Sequence, residues 1–108
     1  MIRVCLWRGA DGAPERLTVS GHAGQDRYGE DIVCAAASAL VETLVLGLRD
    51  VVGEPPGGRV NPGDADITFL HSQSREARAV VDTIARGLQD LAASEPKAAA
   101  FEERYASN

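Results

Sequence analysis

The sequence has few cysteines, few aromatic side chains and a deficit of positive charge. Its 108 residues include two cysteines, Cys5 and Cys34, one tryptophan, and 11 lysine and arginine residues against 16 aspartate and glutamate residues. The net charge of −5 disfavours a partner bound chiefly through phosphates, because such binding needs a clustered basic surface. An acidic protein can instead attract a basic peptide. We therefore expect no nucleic-acid partner and leave a basic protein substrate open.

The chain also lacks the features of an exported or membrane protein. Its N-terminal sequence MIRVCLWR, residues 1–8, has no apolar stretch followed by small residues, as a signal peptide would. The longest apolar run covers residues 32–48. Ser38, Glu42 and Thr43 interrupt it, whereas a membrane span needs roughly 18–20 apolar residues in a row. We predict a cytoplasmic protein with no membrane partner, whose two thiols the reducing cytosol keeps unpaired with each other.

Hydrophobic periodicity predicts two strands at the start of the chain and a long helix after them. Alternating apolar residues predict a strand over residues 2–8, and a second strand over residues 16–20 that forms a hairpin with the first. After a loop that contains glycines, Asp31 can cap a long apolar helix. This helix is predicted to run from Ile32 to Val52 and to be closed by Gly53.

The second half of the chain predicts two short strands and an amphipathic helix. The strands are expected at residues 59–60 and 66–71, around an Asn-Pro-Gly-Asp turn. Ser74 can cap the helix, which Pro96 stops. One face of this helix carries an apolar stripe of Ala77, Val80, Val81, Ile84, Leu88 and Leu91. The tail, residues 97–108, is either an edge strand or a frayed end.

This order of elements predicts an α+β fold. We expect one domain over residues 1–108, with a mostly antiparallel sheet and both helices packed on one face of it. The length suits a single modest core. The composition, with 44% hydrophobic and 25% charged residues, is that of an ordinary globular protein.

The chemically informative residues are His22 and Cys34. If Asp31 caps the helix, Cys34 lies in the first turn, where unpaired N–H groups and the helix dipole favour a thiolate and could hold a developing oxyanion. His22 follows the second strand, and the short loop could bring its imidazole to the thiol, where it would act as general base and then as acid. Ser38 lies one turn after Cys34 on the same helix face. Asp31 could also orient His22.

Each of these residues has an ordinary structural interpretation as well. A single cysteine in an apolar helix is usually a small buried side chain, and a histidine after a strand is often structural. Asp31 can serve only as a cap, and Ser38 only as a small residue where helices pack. Cys5 lies in a strand, and His71 is expected to end a core-facing row, so neither is a good catalytic candidate. These residues lack the paired spacing of zinc sites, and we expect no metal or cofactor.

The sequence resembles one known family. The residues that carry the resemblance are GHAG at 21–24 and YGEDIVCAA at 28–36, followed by SAL at 38–40. They are similar to the signature of the ribosomal-processing cysteine protease (Prp) family, and the similarity covers most of the chain. Gln25 and the alanine-rich tail depart from the family pattern. The resemblance implies that His22 and Cys34 are the catalytic pair of a cysteine endopeptidase.

The resemblance also implies a substrate and an oligomeric state. Family members remove a short basic N-terminal extension from bacterial large-subunit ribosomal protein twenty-seven, by thiolate attack and hydrolysis of an acyl-enzyme. They form homodimers, for which we expect the strand face of Arg3, Cys5 and Trp7 to supply the contact. We expect the loop of residues 23–30 to act as a gate over Cys34. The alternative function is a non-catalytic ribosome-assembly module that binds the same ribosomal protein, and a redox-sensing thiol protein is disfavoured because only Cys5 could resolve it.

Overall fold

The structure is a computed structural model that describes residues 1–21, 28–61 and 63–106, with the backbone alone for residues 28–31. His22 and most of the loop expected to act as a gate therefore lie outside the described residues. The predicted helices and the four strands predicted before the tail fall within the described ranges, and the tail does so up to residue 106.

Five strands and two helices follow one another in the predicted order. The strands are β1 (Ile2–Arg8), β2 (Pro14–Ser20), β3 (Gly57–Asn61), β4 (Asp64–Thr68) and β5 (Ala99–Tyr105). The helices are α1 (Tyr28–Leu46), which continues as a π-helical segment over Gly47–Val52, and α2 (Arg75–Ser94). Gly53 closes the first helical region as predicted, in a left-handed conformation with φ of 80°.

The strands form one sheet in the order β3-β4-β2-β1-β5. The pairs β1–β2, β2–β4 and β3–β4 are antiparallel, and only β5 runs parallel to its neighbour β1. The tail left open from the sequence is thus an edge strand, paired from Ala99 opposite Ile2 to Tyr105 opposite Arg8. The prediction of an α+β fold with a mostly antiparallel sheet is confirmed.

Both helices pack on the same face of the sheet. Ile2, Val4 and Leu6 of β1 point to this inner face and are at most 4% exposed, because alternate side chains of a strand point to opposite faces. The helices contribute Val33, Ala37, Val41, Leu44, Ala77, Val81, Ile84, Ala85, Leu88 and Ala92 to the same core. The apolar stripe predicted for α2 is therefore the face that it buries, with Val80 and Leu91 at its partly buried margin.

The outer face of the sheet carries charged side chains around Trp7. Arg16 of β2 and Arg104 of β5 lie opposite Trp7 in the register, with guanidinium carbons 5.9 Å and 5.0 Å from the centre of its ring. Trp7, which the sequence led us to place in a dimer contact, is consequently half-buried between two cations.

Ser74 caps α2 as predicted, since its hydroxyl oxygen accepts a hydrogen bond of 3.0 Å from the N–H of Ala77. The same hydroxyl donates to the carboxylate of Glu54, which also accepts from the N–H of Ser74 at 3.0 Å. These bonds tie the segment after Gly53 to the start of α2.

Several boundaries differ from those predicted, and β2 and β4 each begin two residues earlier than expected. The prediction that Asp31 caps the first helix is wrong, because α1 begins at Tyr28 and Asp31 is its fourth residue. Strand β4 ends at Thr68, so His71 is an exposed residue beyond the strand and does not end a core-facing row. Strand β3 is longer than predicted, from Gly57 to Asn61.

By length and composition alone, residues Ile32–Val52 could cross a membrane. The polar residues Ser38, Glu42 and Thr43 do not take the segment out of that range. Its buried positions recur every three or four residues, as in a helix that packs one face in a core. The segment is therefore long and apolar enough to cross a membrane, and its buried side also completes the core of this fold.

Candidate active site

Cys34 lies in the second turn of α1, half-buried against the core. The helix begins at Tyr28, so the N–H groups that lack partners within the helix belong to its first turn. They lie one turn before Cys34. The prediction that Cys34 occupies the first turn, among these N–H groups, is therefore wrong, and the helix dipole acts on it less strongly because the effect falls off within the first turn.

A cavity of about 330 Å³ opens beside Cys34, between α1 and the β3–β4 hairpin. Five residues of α1 form its helical wall, at positions that recur every three or four residues. They are Cys34, Ala37, Ser38, Val41 and Glu42. Since this spacing places side chains on one helix face, the thiol and the polar groups of Ser38 and Glu42 line the same cavity.

The floor of the cavity is an apolar row on the inner face of the sheet. Val60 lies opposite Ala65, and Ala65 lies opposite Val19 in the strand register. All three line the cavity together with Ile2. Val60 is 46% exposed, so the sheet extends past α1 at this edge and leaves a shelf open to solvent.

The polar rim of the cavity carries two carboxylates that differ in their partners. Asp64 accepts hydrogen bonds from the guanidinium of Arg59, with an ion pair of 3.1 Å. Glu42 is exposed and has no ion-pair partner in the described part of the chain. Asn61 and Ser38 add neutral polar groups to the rim. Among the described residues that line the cavity, Glu42 is therefore the carboxylate without an ion-pair partner.

The second cysteine, Cys5, lies on the outer face of the sheet. It is opposite Thr18 on one side and Glu102 on the other, away from α1. Burial raises the pKa of the Cys5 thiol, and the nearby negative charge of Glu102 raises it further. Cys5 is thus a neutral thiol near pH 7, the opposite of an activated nucleophile.

The structure brings two of the four predicted site residues into one cavity, Cys34 and Ser38. Asp31 lies in the first turn of α1, and His22 lies outside the described residues. The sequence reasoning missed Glu42, although its spacing of four residues from Ser38 and eight from Cys34 signals a shared helix face. Within the described ranges, no group of three His, Cys, Asp or Glu residues could hold a metal ion.

Comparison with known proteins identifies the family to which this cavity belongs. The family model described as cysteine protease Prp matches residues 1–100. The chain belongs to the Prp cysteine protease family. A curated Prp relative, the ribosomal processing cysteine protease of Staphylococcus aureus, is 30% identical over 93 residues, which cover 84% of this chain and 88% of the relative.

Solved structures agree with the Prp assignment. A crystal structure of a Streptococcus mutans protein matches with a TM-score of 0.88 and 25% identity, over 98% of this chain and 96% of that one. The Prp protease of S. aureus in complex with a covalently linked product peptide matches with a TM-score of 0.84 and 26% identity, over 98% of this chain and 100% of that one. Prp membership makes this chain a cysteine protease, as the sequence predicted, and disfavours the non-catalytic alternative.

Proposed function

We propose that the protein is an endopeptidase that removes a short N-terminal extension from large-subunit ribosomal protein twenty-seven, with Cys34 as nucleophile and His22 as general base. The observation that carries the proposal is the cavity beside Cys34, which reaches from the thiol over an apolar floor to an acidic rim. The S. aureus relatives are named as ribosomal processing proteases, which supports a ribosomal protein as the substrate.

The proposed reaction has two steps. His22 takes the proton of Cys34, and the thiolate attacks the carbonyl carbon of the scissile peptide bond. The C–N bond breaks as the His22 imidazolium gives its proton to the leaving amine, and an acyl-enzyme remains on Cys34. Water, deprotonated by His22, then attacks the acyl-enzyme, releases the carboxylate product and restores the thiol.

Ser38 and Asp31 have supporting roles in this proposal. Ser38 is exposed on the cavity wall one turn from Cys34, where its hydroxyl can hydrogen-bond the backbone of a bound peptide. We propose that Asp31, one turn before Cys34, orients the imidazole of His22. The net charge of −5 favours a basic extension over an acidic one.

We also propose that the protein is a cytoplasmic homodimer. A ribosomal substrate and two cysteines that are not joined in a disulfide suit the cytoplasm. The outer face of the sheet alternates positive Arg16 and Arg104 with negative Asp66 and Glu102, a pattern that can pair with itself around a two-fold axis. Sedimentation at micromolar concentration tests the dimer, and a monomer there contradicts it. Cell fractionation tests the location.

The experiment that tests the function uses the ribosomal protein of the same organism. Incubation with its full-length ribosomal protein twenty-seven should generate one new N-terminus, read by mass spectrometry, and the Cys34→Ala protein should generate none. Tight binding without any cut would favour the ribosome-assembly module instead. Cleavage by the Cys34→Ala protein would contradict the assignment of the nucleophile.

A further inference from the structure

Cys34, Ser38 and Glu42 lie at regular intervals along the helical wall of the cavity. The three residues are spaced by four along α1 and all line the same cavity. With a rise of 1.5 Å per residue, the thiol and the Glu42 position are about 12 Å apart along the helix axis. Glu42 therefore marks the end of the cavity wall that lies farthest from the nucleophile.

A peptide that reacts at Cys34 must cross this distance to reach Glu42. An extended chain advances about 3.3 Å per residue, so about 12 Å corresponds to three or four residues. The shelf of Val60 and Ala65 beneath it is apolar, and Val60 is left 46% exposed by the helices. A long aliphatic stem could lie on this shelf while a polar head stays at the rim.

The charges at the rim of the cavity indicate which kind of substrate side chain could bind there. The carboxylate of Asp64 is engaged by the guanidinium of Arg59. The carboxylate of Glu42 has no ion-pair partner among residues 1–21, 28–61 and 63–106. A cation placed at this end of the cavity would therefore meet the carboxylate of Glu42, which no cation of the described residues neutralises.

We propose that Glu42 is a specificity-determining residue that selects a lysine or arginine three or four positions from the scissile bond of the substrate. The inference rests on the proposed function only for the role of Cys34 as the reacting group. The stem of the basic side chain would lie on the shelf of Val60 and Ala65, and its charge would meet Glu42. The basic residue would therefore be part of the substrate sequence that the enzyme recognises.

Thiol-reactive peptides test the proposal because they fix the register without needing turnover. Peptides with a C-terminal chloromethyl ketone extend from Cys34 in one chain direction, and peptides with an N-terminal bromoacetyl group extend in the other. In each series, lysine and glutamine are compared at positions two to five from the reactive group. The rate of labelling of Cys34 is measured by intact mass in a Cys5→Ser background, so that only one thiol is present.

We expect lysine to raise the labelling rate about two- to fivefold over glutamine at the third or fourth position of one series, as for a partly exposed ion pair. Glu42→Gln should abolish this preference and Glu42→Lys should reverse it. Asp90→Asn is the matched control, because it removes one exposed charge of α2 that does not line the cavity, and it should leave the preference unchanged.

Three results would overturn the proposal. They are no preference for lysine at the third or fourth position, a preference that persists in Glu42→Gln, and the absence of peptide labelling at Cys34. Failure of the proposed function is a separate result, in which the ribosomal protein is not cut although the dependence on lysine and Glu42 is present.

Discussion

Cys5 and Cys34, the two thiols of the chain, lie on opposite faces of the sheet. Cys5 faces outward between Thr18 and Glu102, whereas Cys34 packs on the inner face with the core and lines the cavity. The sheet separates them, so they cannot join in a disulfide without disruption of the fold. Only Cys34 is placed to meet a substrate in the cavity.

Substitution of the two cysteines should have unequal effects on cleavage. Cys34→Ala should abolish turnover of the ribosomal substrate while the protein stays folded, because alanine is small and favours helix. Cys5→Ser should retain most of the activity, since Cys5 is remote from the cavity. The measurement is cleavage rate by mass spectrometry with circular dichroism as the folding control. Loss of turnover in Cys5→Ser alone would contradict this assignment.

The reactivity of Cys5 should increase only at alkaline pH. Burial and Glu102 raise the pKa of its thiol above the usual value of 9.0, so the thiolate fraction near pH 7 is smaller than that of an ordinary cysteine. Alkylation by iodoacetamide in a Cys34→Ala background should therefore be slow at neutral pH and accelerate as the pH rises past 9. Glu102→Gln should shift this acceleration to lower pH, and rapid labelling at pH 7 would contradict the prediction.

Substitution of His22 and of His71 should have unequal effects on kcat. His22→Ala should lower kcat by about 10²- to 10⁴-fold, as expected for loss of a general base. His71 is exposed beyond the end of β4, so His71→Ala should change the free energy of unfolding by less than about 0.5 kcal/mol and leave kcat near that of the unmodified protein. Equal losses of kcat in two folded variants would contradict the choice of His22.

The sequence predicted the elements well where a pattern is local. The alternation in β1, the apolar stripe of α2 and the caps at Ser74 and Gly53 depend on neighbours a few residues away. The pairing of β5 with β1 joins residues almost a hundred positions apart, and its parallel direction follows from the path of the chain over α2. Local periodicity carries no information about that path.

Residue type and helical spacing predicted part of the candidate site. The rest of the site depends on the three-dimensional arrangement of the helix and the sheet. Cys34 and Ser38 could be paired by helical spacing alone. The start of α1 could not be predicted in this way, because Asp31 is a favourable cap and yet the helix extends back to Tyr28. The shelf at Val60 could not be predicted either, since it exists only because the sheet is wider than the helix that covers it.

Ser74 and Glu54 should make the stability of the protein sensitive to acid. The hydroxyl and N–H of Ser74 bond the Glu54 carboxylate and lower its pKa below the usual 4.5. A lowered pKa in the folded state stabilises the fold above the pKa of the unfolded state, and this contribution is lost as pH falls through the lower folded value. Glu54→Gln should remove that part of the acid loss, as measured by urea unfolding from pH 7 to pH 3.

The matched variants separate the cap from the charge. Ser74→Ala should cost about 1 kcal/mol at pH 7, because α2 loses its N-cap as well as the contact with Glu54. Asp90→Asn is the control for loss of an exposed carboxylate that is not bonded to Ser74. If Glu54→Gln leaves the slope of stability against pH unchanged, the bond to Ser74 does not lower the pKa of Glu54 in solution.

Gly58 should be indispensable to the hairpin that forms one side of the cavity. Its φ is +95°, and an added Cβ would lie 1.9 Å from the carbonyl oxygen of Asp66 on the neighbouring strand. Gly12 is a matched control, with φ of +87° and no atom within 4 Å of an added Cβ. Gly12→Ala therefore pays only the backbone cost of a positive φ, about 1 kcal/mol. Gly58→Ala must also displace β3 from β4, for a total of about 3 kcal/mol.

The two substitutions should also differ in their effect on catalysis. Displacement of β3 moves Val60 and so deforms the floor of the cavity, which should raise KM in Gly58→Ala while Gly12→Ala leaves KM unchanged. Urea unfolding gives the stability difference, and cleavage kinetics at a temperature where both variants are folded give KM. Equal destabilisation of the two variants would show that the β3–β4 hairpin yields to the added methyl group, and an unchanged KM in Gly58→Ala would show that the shelf at Val60 does not contact the substrate.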